Sequence, residues 1–254
     1  FHVKAPHVTF RGVHLQNPQG SPNNHAKVIY FRGKGDYGVV YDCVISNAGY
    51  NGVFSWGDGL KVLHSEFKHI FQDAIWVGNS KYVEIAHNYV HDVNEAWYEY
   101  GSDQSVAGGD GIQFGAIVTD WWVHHNVVDR TNSGNKFCFI AAGVDMDGVP
   151  IQMRGLAEYN NFTGPLTSGH GGASVFTVYG SDVTYRYNYI KGPSPHAFYL
   201  STDNALVVDN FIDGADVALY NNGAKDLVFA NNTVRNIQDE CFGGASITDR
   251  KSVV

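Results

Sequence analysis

Short runs of alternating apolar and polar residues recur along this chain, and most end on the same phrase: apolar, x, apolar, x, x, Asn, x, apolar. It stands at Val83-Glu-Ile-Ala-His-Asn88-Tyr-Val90, at Trp122-Val-His-His-Asn126-Val-Val128 and at Ala157-Glu-Tyr-Asn-Asn161-Phe162. It returns at Val183–Ile190 around Asn188, at Leu206–Ile212 around Asn210 and at Leu227–Val234 around Asn232. Looser copies lie upstream around Cys43 and Ser65. The period is 2 and the apolar positions are Val, Ile, Tyr, Phe and Trp, which predicts strands rather than helices.

The spacing of the phrase predicts how the strands are arranged. Cys43 to Ser65 is 22 residues, Ser65 to Asn88 is 23, and Asn188 to Asn210 to Asn232 is 22 each time. The intervals between Asn88 and Asn188 are longer, at 38, 35 and 27. A fixed period with insertions on a few repeats is the mark of a solenoid carrying loops on some coils. The leucine pattern of leucine-rich repeats is absent. The recurrent Asn is expected at an inward-facing turn, where its amide bonds the backbone of the next coil. A second strand precedes each phrase, as in Gly52–Trp56, Ala74–Val77, Gly111–Phe114, Phe137–Ile140, Ser174–Val178, Ala197–Leu200 and Val217–Tyr220. The expected fold is all-β: one parallel β-helix over residues 1–248, with 9 to 10 coils.

These Asn-bearing coils resemble the pectate-lyase-like superfamily of right-handed parallel β-helices, over nearly the whole chain. The resemblance implies a carbohydrate-active protein. It also implies that the outer side of the strand preceding each Asn phrase floors the substrate groove.

Composition narrows the partners. The chain has 254 residues, 29 Gly, 7 Pro and a net charge of −8. An acidic balance excludes a basic nucleic-acid footprint. No apolar run approaches the ~20 residues of a membrane span. No signal peptide is seen, and the chain opens at Phe1-His2-Val3 without an initiator Met, so it reads as part of a longer protein. The last six residues, 249–254, resemble translated sequencing-adapter sequence and read as a non-native tail from an assembled environmental (metagenome) fragment. The expected setting is secreted, periplasmic or cell-surface, as a monomer with a polysaccharide or oligosaccharide substrate. Cys43, Cys138 and Cys241 are too few and too scattered for a disulfide framework or zinc site, and read as free core thiols.

The residue before each second strand forms a column: Asn51, Asp73, Asp110, Lys136, then Gly172 or a neighbour, His196 and Asp216. With coils about 4.8 Å apart, Asp73, Asp110 and Lys136 are expected in one polar line. Trp56, Trp76, Gln113 and Phe139 are expected to point outward beside it, and Trp97, Tyr98 and Arg154 lie on the insertions. Asp before Gly-Ile is also ordinary turn chemistry. Gly-Gly-Asp110-Gly-Ile is similar to the Asn-Thr-Asp-Gly motif of the polygalacturonase family, and Gly169-His170-Gly171 to its Gly-His-Gly. That likeness implies a catalytic Asp110 and a supporting His170. It departs at Gly134-Asn-Lys136, where an Asp pair belongs, and at Phe198-Tyr-Leu200, where Arg-Ile-Lys belongs.

Three chemistries fit these residues. A glycoside hydrolase needs two carboxyl groups, roughly 5–5.5 Å apart for retention or roughly 6.5–9.5 Å for inversion. Asp110 would pair with Asp73, or with Glu99, Asp103, Asp145 or Asp147 on the loops. A lyase would use Lys136 as base, Asp73 and Asp110 as candidates to hold Ca²⁺, and Arg130 and Arg154 for the uronate carboxylate. The Asp-Pro-His-Asp run of the alginate epimerase family is absent. A non-catalytic glycan-binding solenoid is the third. The hydrolase is the preferred expectation and requires no cofactor. His87, His124 and His125 are expected to face solvent or a turn, with no metal bound.

Overall fold

The computed structural model describes residues 1–16, 27–33, 35–93, 109–115, 117–129, 137–142, 152–163 and 174–244. Lys136, His170, Trp97 and Tyr98 fall outside these residues, as do Glu99, Asp103, Arg130, Asp145, Asp147 and the 249–254 tail. The described chain winds into a parallel β-helix, and every pairing between its strands is parallel with the neighbouring coil. Three faces result. The first runs through Val53–Ser55, Ile75–Val77 and Ile112–Phe114. The second runs through Lys61–Leu63, Glu84–Ala86 and Trp122–His124. The third runs through Glu66–Ile70, Tyr89–His91 and Val127–Asp129. The first face has ten rungs among the described residues, from His2–Val3 to Glu240–Gly244.

The alternation that predicts strands also fills the core. Val53, Ile75, Ile112, Phe139, Phe176, Phe198 and Leu219 stack along the first face, each fully buried. Val62, Ile85, Val123, Ala157, Tyr185 and Val207 line the second, and Ile45, Phe67, Val90, Val128, Phe162, Ile190 and Ile212 the third. Stacked apolar columns bury each rung against two others, so no single coil needs a core of its own.

The predicted Asn ladder is present at the turn between the second and third faces. The amide of Ser65 donates to Asn88 Oδ1 at 3.0 Å, Asn88 to Asn126 at 3.1 Å and Asn126 to Asn160 at 3.0 Å. It continues from Asn160 to Asn188, Asn188 to Asn210 and Asn210 to Asn232. The ladder residue is Asn160, not Asn161. Asn161 is exposed in the next strand, in register with Val127 and Tyr189. With two adjacent Asn in the sequence, only the register decides which one turns inward.

The residue before each ladder position adopts a left-handed backbone: Asp42, His64, His87, His125, Tyr159, Tyr187, Asp209 and Asn231, with φ between 50° and 56°. Of the thiols, Cys43 is buried as expected, but Cys241 is exposed; among the described residues its strand Glu240–Gly244 pairs only with the preceding coil.

Candidate functional site

The first face carries the residues singled out by their chemistry. Its outward positions include Tyr30, Phe54, Trp76 and Gln113 in consecutive rungs. Phe54 and Trp76 stack face to face, with centroids 4.2 Å apart and planes at 6°. Trp56 meets Trp76 edge-on at 4.9 Å. Gly78 and Gly115 leave room for the Trp76 ring, since a Cβ on either would come within 2.5 Å of it. The aromatic patch is thus packed as a unit, and Trp76 has one face covered by Phe54.

Asp73 and Asp110 lie on neighbouring coils beside this patch, at 3% and 2% exposure. The backbone N–H of Asp110 donates to Asp73 Oδ1 at 2.8 Å, and Asn51 Nδ2 donates to Asp73 Oδ2 at 2.8 Å. The Gln113 amide nitrogen faces the same carboxylate, 3.1 and 3.2 Å from its two oxygens. Both Asp73 oxygens therefore accept hydrogen bonds that join three coils. Asp110 meets Asp73 through its backbone N–H.

The strand register changes the column beyond Asp110. Ile112 pairs with Phe139, so counting back two residues sets Phe137 opposite Asp110, with Ser174 and His196 following. Asp216 is one residue out of that column, since His196 pairs with Val217. The same shift turns Phe139 inward, fully buried in the core rather than outward as expected, because a one-residue slip exchanges the two sides of a strand. His196 keeps its predicted place and lies near Tyr199 and Tyr220, which stack at 5.1 Å.

Arg154 sits apart from this cluster. It occupies the turn from the first face to the second and holds Asp120 with two hydrogen bonds, of 2.6 and 2.7 Å. The guanidinium holds the Asp120 carboxyl below its ordinary value, and Asp120 in turn raises Arg154.

A second group is formed by the histidines expected at solvent or a turn. His124 is buried, at 6% exposure, under Trp122, while His87 and His125 are exposed beside it. Adjacent His in one strand point to opposite sides of it, but the left-handed turn at His125 brings both to the outer surface. A signal was available in the recurring residue before the ladder Asn, which is His in three successive coils.

No protein-family model matches the chain, and no curated protein matches its sequence. Solved structures do match its shape. A double mutant of the tailspike protein of E. coli bacteriophage HK620, in complex with a pentasaccharide, superposes with a TM-score of 0.50 at 11% identity, over 99% of this chain and 57% of that one. The GH136 lacto-N-biosidase from Eubacterium ramulus is similar over 92% of this chain and 46% of its own, at 12% identity and a TM-score of 0.49. The chain therefore spans about half the length of these neighbours. The tailspike likeness agrees with the parallel β-helix built above and speaks to fold alone.

Proposed function

We propose that this protein acts on polysaccharide, as a glycoside hydrolase whose substrate lies across the outer side of the first face. The observation that carries the reading is a packed aromatic patch, Trp56 and Trp76, on the same face as Asp110, which leads into the strand beside that of Trp76. Aromatic side chains with a few fixed polar groups are what sugar rings bind through. Asp110 is the candidate carboxyl at the glycosidic bond, and Gln113 the neighbouring polar contact. Asp73 then positions Asp110 by fixing its backbone. Glu99, Asp103, Asp145 and Asp147 are candidates for the second carboxyl, with His170 and Lys136 in support, and Trp97, Tyr98 and His196 bordering the substrate. Work on polymeric glycans suits a secreted or cell-surface protein, and a solenoid with one groove suits a monomer.

The test is a panel of polysaccharides with wild type and Asp110→Asn, with and without chelator, reading both reducing ends and the ultraviolet absorbance of unsaturated products. New reducing ends without that absorbance, abolished by Asp110→Asn while glycan binding persists, support the hydrolase. Unsaturated products replace it with a β-elimination lyase, and binding without products replaces it with a glycan-binding solenoid.

A further inference from the structure

We propose that His87, His124 and His125 form a binding site for one divalent transition-metal ion of the zinc type, on the outer surface where the second face turns into the third. One ring nitrogen from each of the three lies within 4.8 Å of the others. His124 Nδ1 and His125 Nδ1 are already 2.9 Å apart. Two nitrogens bound to the same tetrahedral zinc at 2.0–2.1 Å are about 3.3 Å apart. The pair therefore needs to open only slightly around an ion, while exposed His87 closes from the neighbouring coil.

His124 is the anchored ligand. Its ring stacks on Trp122 at 3.8 Å, and Trp122 Nε1 donates to Glu158 at 3.0 Å. Its Nε2 faces Glu84 Oε1 at 3.5 Å and has no closer hydrogen-bond partner among the described residues. Glu84 is itself held by Lys61 at 2.6 Å. A histidine that directs one N–H at a carboxylate presents its other nitrogen as a lone pair of fixed direction, the usual support of a metal-bound imidazole. Here that lone pair is on Nδ1, aimed at His125. With the His124 proton on Nε2, the 2.9 Å contact uses a proton on His125 Nδ1, and an ion bound there would require His125 to carry its proton on Nε2 instead.

Neutral imidazole is the ligand form. An all-imidazole set suits zinc, copper or nickel and not calcium or magnesium. Three protein ligands leave a fourth position open to water or another ligand. Ring stacking explains His64 over His87, at 4.6 Å and 3°, but not the end-on approach of two Nδ1 atoms.

Titration calorimetry with Zn²⁺ at neutral pH, paired with the visible absorption of the Co²⁺ form, tests the site. Wild type is expected to take up one equivalent. His87→Asn and His125→Asn should each weaken binding at least tenfold. The fold tolerates Asn here, because Asn231 occupies the equivalent turn position with the same left-handed backbone. Should Asn unfold the coil, as judged by circular dichroism, His125→Tyr replaces it, since Tyr159 holds that position one coil on. Glu84→Gln should weaken binding by about 10- to 100-fold as a positioning residue. His7→Asn, at another left-handed turn, should leave it unchanged. Absence of saturable one-equivalent uptake, or unchanged uptake in the His87→Asn/His125→Asn double variant, overturns the proposal.

Discussion

The backbone amide of Asp110 donates to Oδ1 of Asp73 at 2.8 Å, so the side chain of one coil fixes the main chain of the next. This separates two carboxyl groups that look alike in sequence. Asp73→Ala strands the buried Asp110 N–H and the Asn51 amide, and is expected to cost about 2–4 kcal/mol of stability. Asp110→Asn keeps that backbone donor and should cost less stability than Asp73→Ala, while lowering glycan turnover about 10²- to 10⁴-fold. Urea unfolding and reducing-end assays on both variants check this. Equal loss of stability in the two would contradict the division of roles.

Asn126 sits in the middle of the ladder. Its amide nitrogen donates to Ile85 O and Asn160 Oδ1, and its oxygen accepts from the backbone and side chain of Asn88. Asn126→Ala is expected to destabilise by about 2–4 kcal/mol, since it removes the side-chain partners of the buried Asn88 N–H and the Ile85 carbonyl on the preceding coil. Asn126→Ser should cost less, because Ser65 fills the same column and still accepts the amide of Cys43. Denaturant midpoints of the two variants give the comparison.

Tyr185 tests the opposite case. Its ring belongs to the core column, and its hydroxyl is buried without a hydrogen-bond partner among the described residues. Burial pushes that phenol well above its ordinary value. Tyr185→Phe should be neutral or stabilising by about 1–2 kcal/mol, since an unmade bond is removed with almost no change of shape. A loss of thermal stability on this substitution would mean that the hydroxyl has a partner in the native state.

Acidification is expected to destabilise the fold in two stages. His87 and His124 have lowered native values, so they contribute fully above the ordinary histidine value near 6.5. That contribution is lost as pH falls through the depressed native values. Glu66 is lowered by His91, and Glu84 by Lys61 and His124, which outweigh the burial acting against them. Their contribution is present above about 4.5 and is lost below it. Thermal midpoints measured from pH 8 to pH 4 should fall monotonically. A rise between pH 7 and pH 5.5 would contradict the histidine part.

The solenoid was legible in the sequence because its cause is periodic. An alternating pattern every 22 residues can bury its apolar side only against copies of itself, and a recurring Asn marks the turn where the copies bond. Cys43, Ser65, Asn88, Asn126, Asn188, Asn210 and Asn232 needed no tertiary information. Asn160 did, because Asn161 satisfies the same phrase and only strand register separates them. Register also moved Phe139 from the groove into the core and set Phe137 opposite Asp110, since a slip of one residue exchanges inside for outside.

The side-chain partnerships were decided by tertiary structure alone. Asp73 and Asp110 stand 37 residues apart in sequence. Which of them binds the other's main chain depends on the register between their two coils. His87 and His124 are likewise joined by a coil that carries an insertion between them. The sequence by itself determined that coils would stack and which residues would face the axis, because both follow from local alternation repeated along the chain. The tertiary structure decided which outward residues meet, because that depends on the register between neighbouring coils and on the left-handed turns that aim each side chain.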